Sequence, residues 1–138
     1  VLFRSGISIN RELVNEGRPG QRVEVEKINA LNPEYIFTST FTACSLEEFY
    51  QDCVTLGLNV DAVKNKKIYA HPAPGWDFGS PRWILGLMNI ANILHPDIFH
   101  FDLQKEAQSF YQKFYGIDFV PSEINRSFSR PNRNWNWN

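Results

Sequence analysis

Two groups of side chains in this sequence have types and spacing that could do chemistry. The first is Trp76-Asp77-Phe78, followed at once by Gly79-Ser80-Pro81-Arg82. It places an aromatic platform, a carboxylate and a guanidinium on one short stretch, a set suited to holding a ligand by stacking and charge. Arg82 has a second possible use, anchoring the loop itself. The second is His95, Asp97 and His100, whose nitrogen and oxygen atoms could ligate zinc or iron. That segment reads as a surface turn, so no metal site is assigned to it. Catalytic patterns are lacking: there is no G-x-S-x-G, no G-x-x-x-x-G-K-[ST] and no G-x-G-x-x-G. Ser, His and Asp occur without a spacing that joins them as a triad. Neither an enzyme nor a cofactor is expected.

The elements that must position these groups can be read from periodicity. Lys67-Ile68-Tyr69-Ala70-His71 reads as a short strand, so the aromatic-acidic loop leaves the end of a strand and enters a helix. In open α/β sheets that edge is where ligands bind. Ser80 suits the helix N-cap and Pro81 the first helical position, which predicts a helix from there to Leu94. Its apolar residues run nearly all round, predicting burial against more than one neighbour. Its length and the polar Arg82, Asn89 and Asn92 argue against a membrane span. His95-Pro96 stops it.

Upstream, Ile7 to Glu16 is expected to form a short helix, and Gly17-Arg18-Pro19-Gly20 a turn. Val25, Ile28 and Leu31 fall at helical spacing, and Pro33 ends that helix. Glu26 lies in its first turn, where the helix dipole favours a carboxylate. Tyr35-Ile36-Phe37-Thr38-Ser39-Thr40 is β-branched and aromatic, hence a strand. Ser45-Leu46-Glu47-Glu48 is a capping box opening a helix whose apolar stripe ends at Gly57. Leu58 to Val60 is read as a short strand, Asp61 to Lys64 as a helical turn, and Leu103 to Tyr115 as a helix closed by Gly116.

A chain of 138 residues suffices for one domain or one lobe. A net charge of -1 does not suggest a nucleic-acid binder or a partner for anionic membranes. Cys44 and Cys53 are separated by roughly 12–14 Å of largely helical chain, beyond the disulfide reach of about 7 Å. Two free thiols are expected. From Asp118 onward Ser, Asn, Arg and Pro dominate. Arg126, Arg130 and Arg133 among Phe128, Trp135 and Trp137 could stack on nucleic-acid bases. Such a segment cannot build a core, and it is expected to be a flexible extension over residues 118–138.

The order of segments carries a resemblance. Gly6-Ile7-Ser8-Ile9-Asn10 comes first, then Val23-Glu24-Val25-Glu26, Asn32-Pro33-Glu34-Tyr35-Ile36 and Ala62-Val63-Lys64 through Tyr69. Gly79-Ser80-Pro81-Arg82 and Phe110 to Gly116 complete it. This resembles the C-terminal lobe of the substrate-binding proteins of iron-siderophore, haem and cobalamin ABC importers, over about residues 6–117. The resemblance implies an α/β fold: a single layered helix-sheet-helix lobe with a small, partly incomplete sheet, whose N-terminal lobe and connecting helix are absent. It implies an extracytoplasmic, possibly lipoprotein-anchored protein that delivers an iron chelate or related metal complex to the permease subunits of an ABC importer.

For Glu26 the resemblance implies docking to permease arginines, with Glu24 standing where the family has a serine cap. For the cleft it implies ligand contact by the loops bearing Thr40, Phe41, Trp76, Asp77, Phe78 and Arg82. The aspartate and arginine of the cobalamin binders are replaced here by Pro74 and Phe78, and their tryptophan by Gly20, so cobalamin chemistry is not supported. The rival reading is an extracytoplasmic sensor or interaction module on the same lobe, without transport. A third possibility is a metal-cofactor enzyme on a similar lobe.

Overall fold

The computed structural model describes residues 2–4, 6–13, 22–39, 42, 44–77 and 79–120. The architecture is α/β, in two compact units that meet in sequence between Ala70 and His71.

The first unit holds a four-stranded sheet of order β2-β1-β3-β4. β1 (Leu2–Arg4) and β2 (Ile7–Ser8) form a hairpin with Phe3 opposite Ser8, turning through Gly6 at φ 82°. β1 also runs antiparallel to β3 (Tyr35–Thr38), whereas β4 (Ile68–Ala70) lies parallel to β3 with Ile36 opposite Ile68. Ile36, Phe37, Ile68 and Ala70 are all buried, as continuous apolar parallel strands require. Both parallel strands point the same way, so the chain leaves β3 and β4 at one edge of the sheet.

The helices of this unit are α1 (Asn10–Leu13), α2 (Val25–Leu31), α3 (Leu46–Thr55) and α4 (Asp61–Lys64). The capping box of α3 forms as read: the Ser45 hydroxyl accepts from the Glu48 amide at 3.1 Å and the Glu48 carboxylate accepts from the Ser45 amide at 2.7 Å. Two asparagines tie α2 to the segment joining α3 and α4. The Asn29 amide group bridges Gly57 and Asn59, and the Asn32 side chain accepts from the Asp61 amide at 2.9 Å.

Two expectations for this unit are corrected. Ile7 to Ser8 is a strand and not the start of a helix, because Gly6 turns the chain back onto β1; only Asn10–Leu13 is helical, and residues 14–16 lie outside the described residues. Leu58 to Val60 is not a strand. Its backbone is used to end one helix and begin the next: the Leu58 amide donates to the Cys53 carbonyl, and the Val60 carbonyl accepts from Val63 and Lys64.

The second unit is built on α5 (Trp83–Leu94) and α6 (Leu103–Tyr115). Its core is Ala73, Trp76, Leu85, Ala107, Tyr111 and Phe119, with Ile84, Met88 and Phe110 packed against it. Asn92 clamps the α5–α6 connection by bonding both the amide and the carbonyl of Phe101, each at 2.9 Å. α6 matches its expected bounds and is closed by Gly116 in the left-handed conformation. α5 begins at Trp83, later than Ser80-Pro81 predicted, because Ser80 caps a tight turn and not the helix. α5 meets more than one neighbour, as expected, but on one face only: Leu85 packs with Ala107 and Tyr111 of α6 and Gly86 lies against the Trp76 backbone, while Trp83 and Leu87 remain 49% and 46% exposed. Phe119, which falls in the expected extension, is buried against Trp76 and Tyr111, and Asp118 accepts from Gln108 and Gln112. Residues 121–138 lie outside the described residues.

A candidate ligand-contact loop

The loop from His71 to Arg82 follows β4 and leads into α5. His71, Pro72 and Ala73 are buried as the chain leaves the sheet. A turn then closes with the Trp76 amide donating to the Ala73 carbonyl at 3.1 Å. Gly75 and Gly79, at φ 75° and 78°, supply the backbone conformations that ordinary residues resist.

Ser80 organises the far side of the loop. Its hydroxyl donates to the Gly75 carbonyl at 2.9 Å and accepts from the Arg82 backbone amide and from Arg82 Nε, at 3.2 and 3.1 Å. Arg82 also reaches the Tyr111 hydroxyl on α6 at 3.4 Å. The guanidinium lies so close to Gly75 that a Cβ there would sit 2.8 Å from Arg82 Nη2. Of the two uses open to Arg82 from sequence, the one seen is anchorage: it ties the loop to a helix that is distant in sequence.

Trp76 departs from expectation. It is fully buried, packed among Leu85, Ala107, Tyr111 and Phe119, and so does not present an exposed aromatic platform. The physical reason is area: burying an indole contributes more to a small core than a surface seat would. Among the described residues its Nε1 and the Asn89 Nδ2 are buried without a hydrogen bond. Asp77, next in sequence, stays half-buried, and its carboxylate acts on His71. Burial pushes the His71 pKa below its ordinary value, and Asp77 opposes that shift. His71 was not singled out from sequence. The signal was there, a histidine directly after an apolar strand and before a proline, but it does not distinguish a buried ring from a ligand.

The loop after β3 is less fully seen. The Thr42 amide donates to the Ser39 carbonyl at 3.0 Å, closing a turn. Thr40 and Phe41, and Phe78 of the later loop, lie outside the described residues. Glu26 is exposed in the first turn of α2, where the preceding Glu24 makes no side-chain cap. Among the described residues no group of three His, Cys, Asp or Glu could hold a metal ion, and His95, Asp97 and His100 are exposed. A surface groove of about 370 Å³ is lined by Asp102, Gln104, Lys105, Gln108 and Phe119, and none of the candidate loop residues lines it. No described helix is long and apolar enough to cross a membrane.

No family model matches the chain. It is 29% identical over 116 residues to the molybdate-binding protein MolA of Haemophilus influenzae, an alignment covering 77% of this chain and 31% of the relative. Among solved structures it is similar to a periplasmic solute-binding protein from Veillonella parvula, with 28% identity and a TM-score of 0.62 over 76% of this chain and 33% of that one. It is also similar to Helicobacter pylori CeuE with Ni(II) bound, with 28% identity and a TM-score of 0.67 over 88% of this chain and 39% of that one. The chain therefore spans about a third of the length of the relatives it matches. Its likeness is to periplasmic solute-binding proteins, and its fold is that of part of such a protein.

Proposed function

We propose that this chain is the C-terminal ligand-binding lobe of an extracytoplasmic solute-binding protein serving an ABC importer. The observation that carries the reading is the agreement of sequence and structure on one class of protein: MolA is matched at 29% identity and CeuE at a TM-score of 0.67, by a chain that aligns to about a third of each. The ligand class that fits these relatives is a metal complex or an oxyanion, and an iron chelate is the member favoured by the order of sequence segments. The protein binds without chemistry and hands its cargo to the permease subunits.

In this reading an N-terminal lobe supplies the other wall of the ligand cleft. Asp77 is the contact offered from this side, and Arg82 and Trp76 hold its loop in shape. Glu26, exposed in the first turn of α2, offers a carboxylate to permease arginines. The protein works in the periplasm or its equivalent, and a lipoprotein anchor would keep it near its permease.

The test is calorimetric titration of the intact longer protein with molybdate, Ni(II)-histidine, ferric chelates and haem. Micromolar or tighter binding of one of these supports the reading. Binding of none, with the protein shown to be folded, removes it.

A further inference from the structure

A glycine inside a helix costs about 1 kcal/mol relative to alanine, so Gly86, in the middle of α5 and buried, calls for a reason. The packing supplies one. A Cβ on Gly86 would overlap the backbone carbonyl oxygen of Trp76, lie 2.8 Å from that carbonyl carbon and 3.1 Å from His71 Nδ1. The obstructing atoms are backbone and a buried ring, neither of which can swing aside as a flexible side chain would.

We propose that Gly86 is a positioning residue for the candidate ligand loop: the bare backbone at this point of α5 is the seat on which Trp76 and His71 rest, and it fixes the height at which Asp77 is presented. Three further contacts make the seat rigid. The Trp76 ring is locked in the core that α5 and α6 share, Ser80 closes the loop onto Gly75, and Arg82 ties it to Tyr111. The loop is thus shaped before any ligand arrives. Adding one methyl group at position 86 would lift Trp76 off the helix and carry Asp77 with it. The link to ligand binding rests on the function proposed above. The seating of the loop does not, and its test uses the ligand-free chain, so the two can fail separately.

The test compares Gly86→Ala with Gly116→Ala. The second variant strains a left-handed helix end at φ 66° with open space around it, and so lowers stability without touching the loop. Amide hydrogen exchange of residues 73–82 and the NMR titration of the His71 ring are followed in both. Gly86→Ala is expected to speed exchange across the loop at least tenfold and to bring the His71 titration towards that of a solvated imidazole, with Gly116→Ala changing neither. Unchanged exchange and titration in Gly86→Ala, or equal changes in both variants, would overturn the proposal. Should Gly86→Ala not fold, exchange in the unaltered chain decides. Amides of 73–82 that open together with those of the α5 interior support the seat, and loop amides that exchange independently and far faster refute it.

Discussion

His71 is held almost wholly out of water, and burial pushes its pKa below 6.5 with Asp77 only partly opposing. Between the folded value and 6.5 the unfolded chain therefore binds more protons than the folded one. Stability that is full above pH 6.5 is lost as pH falls towards the folded value. Urea midpoints measured from pH 8 to pH 5 should fall, and His71→Phe should flatten that slope; an unchanged slope would remove His71 as its source. Trp76 makes a separate prediction. Its ring fills the core of the second unit while its Nε1 makes no hydrogen bond among the described residues, so its contribution is packing. Trp76→Ala should cost about 3–5 kcal/mol in chemical denaturation. Trp76→Phe should cost clearly less, because no hydrogen bond is lost with the indole nitrogen. Equal losses would mean that the nitrogen has a partner.

At the scale of the elements, helix ends explain both what the sequence made legible and what it hid. The Ser45–Glu48 box and Gly116 are strong local signals, and α3 and α6 formed where they said. Ser80-Pro81 looks like an equally strong start, yet Ser80 is occupied by Gly75 and Arg82, partners that no local pattern reveals. Leu58 to Val60 reads as a strand, and what decides otherwise is the demand for caps on either side. The strands β3 and β4 stand where the sequence places strands, each shorter than read and with a parallel pairing that no local pattern shows, whereas the hairpin partners β1 and β2 are too short for their periodicity to speak. The candidate loop was legible as a loop, but not the direction in which Trp76 faces. A tryptophan beside glycines serves a core as readily as a surface.

α4 ends in a way that invites a test. Lys66 takes the left-handed conformation at φ 53°, with its amide donating to the Val63 carbonyl and the Lys67 amide to the Ala62 carbonyl at 2.7 Å. This is the Schellman arrangement, usually closed by glycine. Lys66→Gly relieves about 1 kcal/mol of backbone strain and forfeits about 0.5 kcal/mol of cation–π contact with the Tyr50 ring, which lies 5.7 Å away. A net gain of about 0.5 kcal/mol is expected by urea denaturation. A loss would mean that the lysine side chain contributes more than the strain costs.

For the whole molecule, the proposed transport role separates into binding and docking, and the two should respond to different residues. Glu26 is exposed on a helix of the first unit, and replacing it disturbs no buried contact. In the intact protein, Glu26→Arg should lower uptake at least several-fold in a transport assay while leaving the ligand dissociation constant within twofold. Equal loss of both would end the docking role. Full uptake would pass that role to another carboxylate, with Glu24 the first to examine.

The mixed sheet also has a consequence for how the chain finds its fold. The β1–β2 hairpin closes across a turn, but β4 reaches β3 only when Ile68 meets Ile36, with α3 and α4 already strung between them. Closing so long an intervening stretch forfeits entropy before any strand contact repays it, and β1 meets β3 across an equally long one, so these two closures are expected to be the slow events in refolding. Until they shut, the apolar edges of β3 and β4 stand open to neighbouring chains. Dilute, rapid transfer out of denaturant should therefore recover more soluble protein than slow dialysis at high concentration.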